Sequence, residues 1–114
     1  TISGRRYSDI IEIAKDQIRK TYMSDEISLN TVAAEVGMSP SYFSSIFSKE
    51  MGKTFVEYLT EIRMDRAKEL LMCSSMKTSE IGYEVGYKDP HYFSYIFKKT
   101  QNCTPKEFRA RGKE

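Results

Sequence analysis

Apolar residues recur at spacings of three and four along most of this chain, and turn-forming residues break the pattern at regular intervals. Ile10, Ile11, Ala14, Ile18 and Tyr22 line one face of a first amphipathic helix over about residues 8–22. Ser28 offers an N-cap to a short helix that ends at Gly37, the residue type best suited to a left-handed C-terminal position. In "SPSYFSSIFSKEMG", Ser39 is the N-cap, Pro40 takes the first helical position, where its missing N–H costs nothing, and Gly52 stops the helix. "TFVE" is a capping box of Thr54 with Glu57, opening a helix that runs to about Cys73. Roughly 19 residues at about 1.5 Å each give it a length of about 28 Å.

The second half replays this plan. "TSEIGYEVG" makes a short helix ending at Gly86, "DPHYFSYIFKK" starts with Asp89 as cap and Pro90 behind it, and "TPKE" is another capping box at Thr104 and Glu107. No stretch shows the period-two alternation of a strand flanked by hairpin turns. The pattern predicts an all-α fold of seven helices. Aligning the halves puts "EVG" at 35–37 on "EVG" at 84–86, an offset of 49, and "YF" at 42–43 on "YF" at 92–93, an offset of 50. In each copy a small residue, Ala33 or Gly82, lies four before the turn glycine, Gly37 or Gly86. That spacing lets two helices cross closely and then turn sharply, as a helix-turn-helix requires.

Packing then divides each second helix into two faces. Phe43, Ile46 and Phe47 in the first copy, and Phe93, Ile96 and Phe97 in the second, form one stripe and are assigned to the core. The outward positions become Ser41, Ser44, Ser45 and Ser48 in the first copy and His91, Ser94, Tyr95 and Lys98 in the second.

Composition narrows the class. A chain of 114 residues, 30% charged and 39% hydrophobic, is long enough for one compact domain, so the two copies must share it. Its longest apolar run, Leu70 to Cys73, is too short for a membrane span or a secretory segment, which places the expected site of action in the cytoplasm, away from any membrane. Opening on Thr1, the sequence reads as a piece of a longer protein. Cys73 and Cys103 have no CxxC partner and no His at metal spacing, and are read as ordinary half-buried thiols. The net charge of +2 is unevenly spread. Residues 1–85 carry eleven Lys or Arg against thirteen Asp or Glu, whereas residues 86–114 carry seven against three. The C-terminal part is the electropositive end that a polyanion would meet.

The phrase "EVGYKDPHYFSYIFKKTQNCTPKEFR" resembles the C-terminal signature of AraC/XylS-type transcriptional regulators, and "LNTVAAEVGMSPSYFSSIFSKEMGKTFVEYL" resembles that family's first helix-turn-helix. The resemblance covers roughly residues 27–112. It implies one DNA-binding domain over residues 1–114: a leading helix and first helix-turn-helix at about 8–52, a connecting helix at about 54–73, and a second helix-turn-helix with a final helix at about 77–112. It also implies that the helices at about 40–50 and 90–100 enter successive major grooves of double-stranded DNA. A connector of about 28 Å plus the width of the packed units suits readers one helical turn, about 34 Å, apart. A regulatory or receiver domain would precede this part in the parent protein. RNA polymerase is the expected protein partner of an activator of this kind.

Base edges are read from the N-terminal half of a recognition helix, which points to Ser41, Ser44 and Ser45 in the first unit and to His91, Ser94 and Tyr95 in the second. A serine face is permissive and leans on water and DNA shape. His91 can donate to guanine N7, and Tyr95 can pack on a thymine methyl. The family often carries arginine at the positions of Ser45 and Tyr95, so a guanine contact is not carried over to either. Gly82 stands where the family usually has Ala, and Asn102 where it usually has Gly. Ser39, Ser48, Lys49, Lys88, Lys98 and Lys99 flank the readers and are assigned to phosphates. Arg63 and Arg66 on the connector are read as structural, pairing with acidic residues between the units, and Arg109 as either structural or DNA-facing.

An enzyme is not expected. A single His, with no GxSxG, no glycine-rich phosphate loop and no clustered metal ligands, supplies neither nucleophilic catalysis nor a metal or cofactor site. Glu57, Glu61, Asp65 and Glu69, spaced by fours, suit a solvated helix face. Two other readings compete: a helical protein-interaction module that kept the fold and lost DNA readout, motivated by the serine-rich first reader, and an alkyl-transfer repair protein, which would need an activated acceptor cysteine.

Overall fold

A computed structural model describes residues 2–112, with side chains from Tyr7 onward. The described residues form seven α-helices and no strand: α1 (Ile2–Thr21), α2 (Leu29–Glu35), α3 (Pro40–Met51), α4 (Phe55–Cys73), α5 (Thr78–Glu84), α6 (Pro90–Gln101) and α7 (Pro105–Gly112). The all-α reading with seven helices holds. Helix α1 extends further toward the N-terminus than the apolar spacing suggested. Apolar spacing reports the core-facing stretch of a helix and not its first residue.

Each predicted punctuation mark has its bond. Ser28 Oγ accepts from the Thr31 N–H at 3.2 Å, and Thr31 Oγ1 accepts in return from the Ser28 N–H at 2.9 Å. Ser39 Oγ accepts from the Tyr42 N–H at the start of α3, with Pro40 at the first helical position. The Thr54 N–H donates to Glu57 Oε1 at 2.8 Å, and the Thr104 N–H to Glu107 Oε1 at 2.8 Å. These bonds to otherwise unpaired backbone donors hold both carboxyls below the ordinary value of 4.5. The turns after α2 and α5 are made by Gly37 at φ +73° and Gly86 at φ +111°, which residues with a Cβ rarely adopt.

The chain divides into two compact units. The first comprises residues 1–22 and 26–61, the second residues 23–25 and 62–114. In the first unit α1 packs on both α2 and α3. Ile11, Ala14 and Ile18 of α1, Val32 and Ala33 of α2, and Phe43, Ile46 and Phe47 of α3 are all buried. Phe43, Phe47 and Phe55 form a ring cluster with centroids 5.6–6.4 Å apart. Such edge-on and tilted pairs add about 0.5–1.5 kcal/mol each to the burial of apolar area.

In the second unit Met64, Ala67, Leu71, Ile81, Val85, Tyr87, Phe93, Phe97 and Cys103 make one core. Gly82 is buried within it, and a Cβ built there would lie 3.0 Å from both Cγ and Cδ2 of Phe93. A methyl at this helix crossing would require the Phe93 ring to give by a few tenths of an ångström. Arg63 is 8% exposed, donates to the Ser24 carbonyl at 2.9 Å and lies 4.8 Å over the Tyr87 ring. Arg109 donates to the carbonyls of Leu71 and Ser74 at 3.0 and 3.2 Å, so its role at the end of α4 is structural. Arg66 pairs with Glu69 one turn along its own helix. Neither cysteine is the half-buried thiol expected: Cys103 is buried and Cys73 is exposed.

Candidate nucleic-acid interface

Burial of the phenylalanine stripe decides what the two candidate recognition helices show to solvent. Phe43 and Phe47 on α3, and Phe93 and Phe97 on α6, are fully buried. Ser41 and Ser45 are consequently exposed on α3, and His91, Tyr95 and Lys98 on α6. Ser44, Ser48 and Ser94 are half-buried, on the flank of the stripe and not at the centre of the outward face. At about 100° per residue, Ser44 lies a quarter-turn from the phenylalanines, which accounts for its intermediate exposure.

The helix starts hold the backbone in place. Asp89 Oδ1 accepts from the His91 N–H at 2.9 Å, fixing the first turn of α6 beside the imidazole. Ser39, assigned to phosphate, is already the cap acceptor for α3. Its hydroxyl can cap and still donate, because a hydroxyl does both.

The cations differ in their surroundings. Lys49, Lys98 and Lys99 are exposed. The Lys99 ammonium sits 5.8 Å over the Tyr95 ring. Lys88 is paired with Asp25 at 3.8 Å, a surface contact that contributes little and that a phosphate can displace. The acidic residues of α4 occupy a solvated face as expected: Glu61 pairs with Lys53 at 2.9 Å and Asp65 with Lys68 at 3.6 Å. Glu61 accordingly raises the Lys53 ammonium above its ordinary value.

Two exposed side chains were absent from the sequence-based set. Tyr42 is 47% exposed and Tyr92 is 50% exposed, at matched positions of α3 and α6. Tyr92 lies between Tyr87 and Tyr95, with centroids 5.8 and 6.3 Å away. The Tyr42 hydroxyl shares a hydrogen bond with that of Tyr7, which holds the Tyr42 phenol above its usual range. The signal that could have found both is the same quarter-turn count: position 42 flanks the buried stripe on the side opposite Ser44.

Taken together, each unit buries one face of a helix that follows a tight glycine turn and presents the other face as hydroxyl, imidazole, phenol and ammonium groups. This is the construction of a tandem helix-turn-helix DNA-binding domain. Residues 32–111 match the family described as helix-turn-helix domain. The chain belongs to the AraC-type helix-turn-helix family of DNA-binding transcription regulators. It is 37% identical over 100 residues, 88% of its length, to an HTH-type transcriptional regulator of Pseudoalteromonas carrageenovora. It spans 58% of that relative, and so less than two thirds of it.

Among solved structures, the C-terminal domain of AraT, a response regulator from Geobacillus stearothermophilus, is 36% identical with a TM-score of 0.88, covering 90% of this chain and 84% of that one. The C-terminal domain of the two-component response regulator yesN from Fusobacterium nucleatum is 35% identical with a TM-score of 0.85, covering 86% and 95%. No helix among the described residues is long and apolar enough to cross a membrane.

Proposed function

We propose that residues 1–114 act as the output domain of a bacterial transcription regulator working in the cytoplasm, binding double-stranded DNA with α3 and α6 in successive major grooves of one duplex. The carrying observation is that the buried phenylalanine stripe recurs in both units and turns a polar helix face outward each time. Ser41, Ser44, Ser45, His91, Ser94 and Tyr95 read base edges, with His91 and Tyr95 supplying most of the discrimination. Ser39, Ser48, Lys49, Lys88, Lys98 and Lys99 bind phosphates, giving affinity without sequence choice. Upstream, a receiver domain of the kind implied by the response regulators AraT and yesN, or a small-molecule sensor, switches the domain. RNA polymerase is the protein partner on activated promoters. The protein-interaction reading is not favoured, because the helix faces that would have lost DNA readout keep exposed hydrogen-bonding side chains next to lysines.

Selection of bound duplexes from a random pool at about physiological salt, followed by sequencing, tests the proposal. Two enriched short motifs about 10 base pairs apart are expected. Affinity for the enriched duplex should fall steeply as salt rises, since phosphate contacts release counterions. Binding without enrichment, or affinity indifferent to salt, overturns the two-reader mechanism.

A further inference from the structure

In the first unit the recognition helix is tied to a helix outside the helix-turn-helix. Tyr7 of α1 and Tyr42 of α3 share a hydrogen bond between hydroxyls, and their rings meet edge-on with centroids 6.0 Å apart. Tyr42 is the third residue of α3, directly after Ser41, and its own N–H is the one capped by Ser39. One residue thus joins the N-cap of the reader to α1. Helix α1 is itself held by buried Ile11, Ala14 and Ile18. The matching residue in the second unit, Tyr92, rests on Tyr87 and Tyr95 of that unit. The same tyrosine is therefore used in two ways, and in the first unit α1 holds it.

We infer that Tyr7 is a positioning residue for DNA recognition by the first unit, fixing through Tyr42 the N-terminal turn of α3, the part of a recognition helix that meets base edges. The inference rests on the reading of α3 as a DNA reader. A turn already set binds more tightly than one that must be ordered on the duplex, because ordering side chains at an interface costs free energy. Removing only the hydroxyl of Tyr7 acts at one half-site and leaves the other alone.

The test uses the whole chain and the duplex enriched from the random pool, with a companion duplex in which the half-site of the first unit is scrambled. That half-site is the one whose footprint disappears in Ser45→Glu, where a carboxylate would face the DNA. Tyr7→Phe should weaken binding to the intact duplex by about threefold to tenfold, the loss of one hydrogen bond. Affinity for the scrambled duplex should not change, and the thermal midpoint should stay close to that of the parent chain. Tyr7→Phe combined with Tyr42→Phe should bind no more weakly than Tyr7→Phe alone, since both remove the same bond. Equal losses on both duplexes, additive losses in the double variant, or unchanged binding would each overturn the inference while leaving the reader intact. If Ser45→Glu leaves both half-sites protected, the reading of α3 falls, and the inference with it.

Discussion

The two helix-turn-helix units share an inner face and differ on the outer one. Phe43 and Phe47 in the first, and Phe93 and Phe97 in the second, are buried to the same extent. Outside that stripe the parallels fade. The small residue at the helix crossing is Ala33 in one unit and Gly82 in the other, and the left-handed residue ending the recognition helix is Gly52 in one and Asn102 in the other. The first reader shows Ser41, Ser45 and Tyr42, whereas the second shows His91, Tyr92, Tyr95 and Lys98. A repeated core is required twice because each unit must bury its own helices. A repeated outer face would read the same bases twice, so the outer face is where divergence adds information.

The sharpest way to break this comparison is to remove a phenylalanine from each core. Phe47→Ala and Phe97→Ala should each lower the unfolding free energy by about 3–5 kcal/mol, measured by urea titration, because both leave a cavity in a fully enclosed site. Effects differing severalfold would mean that the stripes are not equivalent. Next in size come the readers. His91→Ala or Tyr95→Ala should weaken binding to the enriched duplex by about 1–3 kcal/mol, and Ser41→Ala by less than about 1 kcal/mol, as measured by titration with labelled duplex. A larger loss at Ser41 would place the main discrimination in the first unit.

How much of this was legible in the sequence depends on what fixes each feature. Caps and turns were legible because they are local: Ser39, Thr54, Asp89 and Thr104 make their bonds within three residues. The core stripe was legible because a period near 3.6 leaves little choice of buried face. Contacts between residues far apart in sequence were not. Nothing in the spacing of Arg63 announces the Ser24 carbonyl, and nothing near Tyr42 announces Tyr7. Among the candidate site residues, those opposite the phenylalanines were found exposed, whereas the flanking Ser44, Ser48 and Ser94 were half-buried. The quarter-turn count marks which positions flank the stripe, but how far each flank is covered depends on how closely a neighbouring helix approaches, which one helix's sequence does not encode.

The crossing residues sharpen the contrast further. Ala33→Gly should destabilise the first unit by about 1–2 kcal/mol, from helix propensity together with the loss of a fully buried methyl. Gly82→Ala gains that same propensity but sets a Cβ 3.0 Å from the fully buried Phe93 ring, which must then give by a few tenths of an ångström. The expected net result is destabilisation by about 1 kcal/mol, the crowding outweighing the gain. A stabilised Gly82→Ala variant would show that α5 and α6 can separate by a few tenths of an ångström without loss.

The smallest effect concerns a feature the units hold in common, the threonine–glutamate boxes at the starts of α4 and α7. Glu57 and Glu107 have carboxyls held below the ordinary value of 4.5, first by the bond from the threonine N–H. A lowered folded value means that the carboxylates add stability above pH 4.5, and that this contribution disappears as the pH falls through the lowered value. The urea midpoint of the parent chain should therefore drop as the pH falls below about 4.5. Glu57→Gln combined with Glu107→Gln keeps an oxygen that accepts from each threonine N–H but removes the titrating group. That variant should lie near the parent at neutral pH and lose less on acidification. Each single variant should flatten the profile by a similar share, since both carboxylates face the same donors in the same geometry. A double variant as acid-sensitive as the parent would assign the acid loss to other carboxylates and leave the boxes as hydrogen-bond caps whose charge is immaterial.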